Sequence, residues 1–449
     1  MRHLIRSLMA AACLAGLALP AGARHVTLAP FEDPWPMAGG GSAHESVAEG
    51  PAPAYRTAWR AGIDAEPVAG PVVGQDILVI VARGEVIALD PESGRERWRV
   101  DRERGPAGAP ALAGGLVLHV DGQGEETALV ARRREDGAES WRSGLGSAVA
   151  GSIVLLEGKE TVEVPNHAPA EVASWTALVG TREGALRAIA ASDGAEVWSA
   201  DLDGRIDGAP AVADGRVYVT TQDLEERTGR VLALDAETGE EAWGFAPEGN
   251  VAGFSAVTVA GGVAYAGTGD LSARAFDAET GERLWDRPTR APFSAESMPA
   301  IAGDAVVFAD VLGHVYLLDR EMGEERWLYR VPGFLTRGAP VVVSGYIVIG
   351  DDSGRLSAID LESGHLVWRR DLGEGSVGSI AADGDRVVAA PADGPVLALE
   401  HDPGAALLDE PSPTTLFLGT ALLNYAAAFA AVLAGTLVVF RLLIRPKEE

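Results

Sequence analysis

The chain has almost no cysteine. Its 449 residues contain one, Cys13, which lies inside an apolar leader, so the remainder has no disulfide, thiol nucleophile or cysteine metal ligand. Lysine is nearly as scarce, Lys159 and Lys447 being the only two, and this bias toward arginine carries no functional weight. Positive charge as a whole is in deficit. Against 37 Lys and Arg stand 65 Asp and Glu, a formal charge of −28 that opposes engagement of nucleic acid phosphates, so no nucleic acid partner is expected. Sequence signatures of catalysis are missing too. No GxSxG, HExxH, P-loop, dinucleotide fingerprint or full EF-hand loop stands in a fitting context, and the eight histidines share no ligand spacing. From the residues, no catalytic, cofactor-binding or metal-binding group is assigned.

Glycine (55) and proline (26) are plentiful, scattered through segments rich in Val, Ala and Leu, which indicates many short strands joined by tight turns. The ends read differently. Residues 1–23 combine Arg2 and Arg6, an apolar run from Leu8 to Leu19 and the small-residue site Ala21-Gly22-Ala23, the layout of a secretory signal. Cys13 after three alanines also admits a lipoprotein reading, although cleavage there leaves Leu14 to Leu19 on the new terminus. Residues 24–54 form a lead-in and 403–415 a linker. Residues 416–440 hold no charge and are long enough for a transmembrane helix. Arg441, Arg445 and Lys447 follow it, which predicts a cytoplasmic tail at 441–449, with everything upstream on the extracytoplasmic side of the cytoplasmic membrane. Asn424, within that span, is either a tolerated polar residue or a hydrogen-bonding contact to another helix.

Between the ends one pattern recurs: an apolar strand ending in Asp, a turn with Gly, and a strand with Trp. LDPESGRERW ending at Trp98, LDAETGEEAW at Trp243, FDAETGERLW at Trp285 and IDLESGHLVW at Trp368 are clean copies. LDREMGEERW at Trp327 keeps Asp and Gly, whereas the copies at Trp141 and Trp198 have Arg133 and Ala190 in place of the Asp. Each is a β-hairpin in which Asp accepts turn N–H groups, Gly takes a positive φ, and Trp needs a large apolar surface elsewhere. Two more strands precede each hairpin, giving four per unit, the pattern of a propeller blade stacked on its neighbours.

Trp59, Trp98, Trp141, Trp198, Trp243, Trp285, Trp327 and Trp368 are in register, so the expectation is an all-β, eight-bladed propeller over residues 55–402. The last unit lacks a Trp-bearing fourth strand, and the Trp59 segment is free to supply it, closing the ring without an open edge. One interval is longer because of an insertion at 157–175, whose Pro-Asn-His-Ala-Pro core, with Asn166 and His167, reads as a protruding loop and a candidate contact.

These repeats resemble the pyrroloquinoline-quinone-like (PQQ-like) repeat family, over residues 59–402, and DPWPMAGG (33–40) is similar to the lead-in common before such propellers. That family contains quinoprotein dehydrogenases and a non-enzymatic, BamB-like scaffold branch. For the dehydrogenases the resemblance implies PQQ in the central channel, bound calcium, an Asp base and a disulfide between adjacent cysteines. The cysteine pair is absent here and no calcium set can be matched. The resemblance to the scaffold branch implies loops on one face that hold a protein or peptide partner, with no enzyme activity and no cofactor. A PQQ- or quinone-dependent dehydrogenase is the alternative. Aligning the strands that begin each unit places Asp207, Glu296 and Arg337 at one equivalent site near the channel mouth, with Phe293 and Phe334 three residues earlier in their connectors. These five residues are the candidate rim for a partner, and Glu296 with Arg337 is expected to form an inter-blade ion pair.

Overall fold

The computed structural model describes residues 33–410 apart from positions 34, 49, 104, 106–107, 163–169, 250–252, 374 and 379. The expected signal segment, transmembrane span and tail fall outside these residues, as do Asn166 and His167. Among the described residues no helix is long and apolar enough to cross a membrane.

The sheets are eight, each built on four antiparallel strands, as the repeat predicts. Blades 1 to 7 are formed by residues 72–101, 111–144, 154–201, 211–245, 258–288, 300–330 and 341–371. Blade 8 takes three strands from residues 381–401 and its outermost from Tyr55–Ala61, which pairs antiparallel with Val396–His401 and sets Trp59 opposite Ala398. The second and third strands of a blade lie between two neighbouring blades. They are therefore apolar on both faces, as in Leu78–Ala82, where every residue is buried. Outermost strands are wet on one side, and Glu96–Asp101 accordingly buries only Trp98.

Neighbouring blades are joined by the tryptophans. Each repeat indole N–H, those of Trp59, Trp98, Trp141, Trp198, Trp243, Trp285 and Trp327, donates at 2.8–3.0 Å to a carbonyl in the following blade, respectively those of Pro91, Arg134, Ala191, Ala236, Ala278, Arg320 and Leu361. The same ring lies on the turn glycine of that blade. Gly94, Gly137, Gly194, Gly239, Gly281, Gly323 and Gly364 all have φ between +67° and +79°, and an added Cβ would stand 2.4–2.7 Å from the indole. Glycine is required twice, by backbone conformation and by the ring above it. Trp368 is the exception. Blade 8 has no turn at that place, because its outermost strand comes from the other end of the domain, and Trp368 meets Tyr55 edge-on at 5.0 Å.

The Pro-Asn-His-Ala-Pro core of the blade 3 insertion lies outside the described residues, and the segments on either side of it are strands. Val154–Val162 and Ala170–Gly180 pair continuously from Val154↔Leu178 to Val162↔Ala170, so the extra residues lengthen a hairpin. The lead-in winds around the inside of the ring. N–H groups of the innermost strands donate to it in chain order: Val73 to Trp35 O, Leu112 to Pro36 O, Val212 to Ser42 O, Val259 to Ala43 O, Ile301 to Glu45 O and Val342 to Ser46 O, all within 2.6–2.9 Å. Blade 3 joins through Leu155 N–H and Met37 Sδ at 3.5 Å. The lead-in thus satisfies donors that the inner sheet edges would otherwise leave unpaired. His44 is fully enclosed there, 3.2 Å from Val257 O through Nδ1, and burial lowers its pKa to about 4.

Truncating Trp285 to alanine should cost ~3–5 kcal/mol in denaturant unfolding. Gly323→Ala, which retains the indole but crowds it, should cost about 1–3 kcal/mol. An unchanged melt for either variant contradicts this joint. Acid should weaken the fold through His44: its folded pKa lies below the ordinary 6.5, so the unfolded chain binds more protons between those values. Stability should fall as pH drops from 6.5 to about 4, by on the order of 3 kcal/mol from this site. His119, buried beside Arg132 and lowered to about 3, adds to the loss. His44→Asn should flatten the acid limb of a stability-versus-pH curve without abolishing it.

Candidate functional site

The propeller has two unlike faces. Turns between first and second strands and between third and fourth strands lie on the lower one, close to the course of the lead-in. Connections from one blade to the next lie on the upper one, with the loops between second and third strands. The candidate rim residues belong to the upper face, where the channel opens as a cup floored by Trp35, Ala38 and Gly39.

Asp207, Glu296 and the connector residue Ala295 line this cup, and Arg337 lies across Glu296 in a smaller recess beside it. Asp207 is committed to structure. Its carboxylate accepts from Arg205 Nη2 at 2.8 Å and Gln222 Nε2 at 3.0 Å, with Arg182 3.4 Å away. Glu296 is reached by solvent from the mouth but walled in by the ring of blades. That enclosure pushes its carboxyl up to about 7; Arg337 works against the shift, and Asp352 and Asp207 reinforce it. The expected ion pair is not formed. Glu296 and Arg337 face the same recess without closing on each other, and Arg337 makes no ion pair or side-chain hydrogen bond among the described residues.

The two phenylalanines part company. Phe293 is only 2% exposed, packed against Phe308 with ring centroids 5.9 Å apart and set over Gly267, so it belongs to the core and leaves the rim. Phe334 is 56% exposed and remains. In its connector Leu335 is the residue turned inward, while the place corresponding to Gly267 holds Ala309.

Alignment of the connectors missed the loops beside them. Leu271 and Leu312, each 39% exposed, sit at the tips of the upper loops of blades 5 and 6. Both tips are braced from beneath. Asp270 is held by Arg274, and Asp310, fully buried, accepts from His314 Nδ1 at 2.9 Å and Tyr316 Oη at 2.8 Å. Loops and connectors are then stitched together: Thr289 N–H donates to Leu271 O, Val311 N–H to Pro292 O, Leu335 N–H to Val311 O and Asp352 N–H to Phe334 O. An arc across blades 5 to 7 therefore presents Leu271, Leu312 and Phe334 on fixed backbone beside an acidic cup. Apolar tips among spaced residues such as these carry no periodic signal, which is why sequence reading passed over the two leucines.

The cup encloses about 40 Å³ above the floor that the lead-in gives it. Among the described residues no group of three or more His, Cys, Asp or Glu is placed to hold a metal ion.

Comparison with known proteins gives one family. A family model described as outer membrane protein assembly factor BamB matches residues 51–163, 125–243, 182–338 and 313–440. Proteins named outer membrane protein assembly factor BamB from Salmonella typhimurium and Escherichia coli are 34% and 32% identical to the chain over 122 residues. That stretch is 25% of this chain and spans 31% of the length of those relatives. Among solved structures, BamB from Moraxella catarrhalis superposes with a TM-score of 0.60 at 19% identity, covering 77% of this chain and 100% of that one. A europium-containing methanol dehydrogenase gives a TM-score of 0.61 at 13% identity, over 82% of this chain and 90% of its own. At such identities both structures speak for the fold alone.

Carboxyl-resolved NMR should find Glu296 titrating near pH 7. Asp207→Asn or Asp352→Asn should move that titration down, and Arg337→Ala should move it up, since the first two remove repulsion and the last removes attraction. A Glu296 midpoint in the ordinary carboxylate range, indifferent to all three changes, would show that the cup does not enclose it.

Proposed function

The chain belongs to the family of outer membrane protein assembly factor BamB, and from that premise we propose that it is a non-catalytic scaffold whose upper face holds a protein or peptide partner. The braced arc of Leu271, Leu312 and Phe334 is the observation that carries the reading. Apolar side chains on backbone already fixed by hydrogen bonds bind with little further ordering, which is what a docking face requires. Glu296 and Arg337, unpaired at the adjoining mouth, supply charge of both signs to orient a partner.

The proposal extends to location. Residues 416–440 anchor the propeller in the cytoplasmic membrane, with the short basic tail in the cytoplasm and the upper face turned to an extracytoplasmic partner. A reporter enzyme active only in the cytoplasm should work when fused after Glu449 and fail when inserted in the linker at 403–415.

In intact cells, photocrosslinkers placed at Leu312 and Phe334 should capture one recurring partner. Leu312→Asp together with Phe334→Asp should cut that capture at least about tenfold, through loss of buried apolar contacts, while leaving the melting temperature within about 2 °C of the parent. Equal capture by the double variant would remove the arc as the docking face.

A further inference from the structure

The chain leaves the ring by a fixed route. At the lower end of blade 8, where its third strand stops, His401 Nδ1 stands 2.7 Å from Ala52 O and Asp402 N–H donates to Ala54 O at 2.8 Å. Residues 403–410 then pass to blade 7 and pair with the start of its outermost strand. Leu408 N–H donates to Val367 O at 2.7 Å and Glu410 N–H to Leu366 O at 3.1 Å, while Leu366 N–H donates to Glu410 O at 2.9 Å. Beside these bonds His365 Nδ1 lies 2.6 Å from Asp409 Oδ1, and Arg369 Nη2 lies 4.0 Å from Glu410 Oε2.

The segment is seated on the blade and covers it. In blades 3, 5 and 7 the residue before the repeat Trp sits on a bulge of the outermost strand and is apolar: Val197, Leu284 and Val367. Val197 and Leu284 are 56% and 48% exposed, whereas Val367, behind the segment, is 8% exposed. An edge that would offer an apolar side chain and a bare N–H to solvent is thereby closed at blade 7. The backbone bonds carry this contact, since ion pairs as exposed as His365 with Asp409 contribute little.

The pairing also sets a direction. The outermost strand of blade 7 rises from the lower face to the upper, and the bridge between Leu366 and Glu410 is antiparallel, so the segment descends and reaches Glu410 at the lower rim. From Glu410 to Leu416 the chain extends at most about 20 Å, whereas a segment free from Asp402 onward extends about 50 Å.

We propose that residues 402–410 are a strap that hangs the propeller from its membrane anchor by the lower rim of blade 7, with the upper face turned away from the bilayer. The inference rests on reading residues 416–440 as the anchor, and adds to it which way the ring faces. A tether this short, fixed at the lower rim, holds the upper face on the side remote from the lipid. The partner that fits that face is therefore a soluble protein or a domain projecting well clear of the membrane, and not the embedded part of a neighbour.

The test uses the full-length protein carrying Cys13→Ser, reconstituted in vesicles of phosphatidylcholine and phosphatidylglycerol with an acceptor dye on a lipid headgroup. A donor dye is attached at Glu362→Cys in the lower turn of blade 7, or at Leu312→Cys on the upper face. Energy transfer to the lipid should be at least about threefold greater from the lower position, the two ends of a blade being about 20 Å apart. Leu408→Pro with Glu410→Pro removes both N–H donors of the strap and should bring the two positions to nearly equal transfer, while the melting temperature stays within about 2 °C of the parent. Should the proline pair disturb the ring, the contrast in the parent decides the matter. Equal or reversed transfer in the anchored parent, or a contrast that survives the proline pair, overturns the strap and leaves the anchor standing. Protein that alkaline carbonate washes from the vesicles overturns the anchor, and the role of the strap with it.

Discussion

Everything in this propeller depends on the hydrogen bond from each repeat indole to a carbonyl of the next blade. A blade alone cannot bury its tryptophan, and an indole N–H buried without an acceptor is costly. Both demands are met by one contact, in which the ring covers the turn glycine while its N–H reaches the carbonyl beside it. The contact fixes where one blade lies on another, so the ring curves by the same device at seven of its eight joints. It also explains where length can vary. The blade 3 insertion lengthens the first hairpin, where Trp175 O accepts from Ala191 N–H, and the Trp141 indole still reaches Ala191 O.

A second fastening runs inside the first. The lead-in offers its backbone carbonyls to one innermost strand after another, making a cup of what would otherwise be an open channel. On the upper face, buried groups such as Asp310 and His314 keep apolar tips in place.

What could be read from the chain follows from which atoms do the work. Asp, Gly and Trp of the repeat are each demanded by their own side-chain or backbone geometry, so blade number and the closing role of the Trp59 strand were legible. The course of the lead-in was not, because any residue can supply a main-chain carbonyl. Phe293 and Phe334 look equivalent in sequence, yet Gly267 leaves room beneath the first and Ala309 stands in the corresponding place for the second. Glu296 and Arg337 failed to pair for a related reason. Equivalent positions on successive blades are held apart by the ring, and opposite charge alone does not bring them together.

The closing strand has a meaning in time as well as in space. Tyr55–Ala61 emerges first and its partner Val396–His401 last, so the outermost position of blade 8 stays empty until nearly all of the chain exists. The lead-in is in the same position, since its acceptors wait for blades made one after another. A chain interrupted anywhere before residue 396 keeps two raw sheet edges and an unclaimed first strand, features that quality-control machinery recognises as exposed hydrogen-bonding backbone. Completion of the ring is therefore a single late event, and a partly made propeller carries the mark of its own incompleteness.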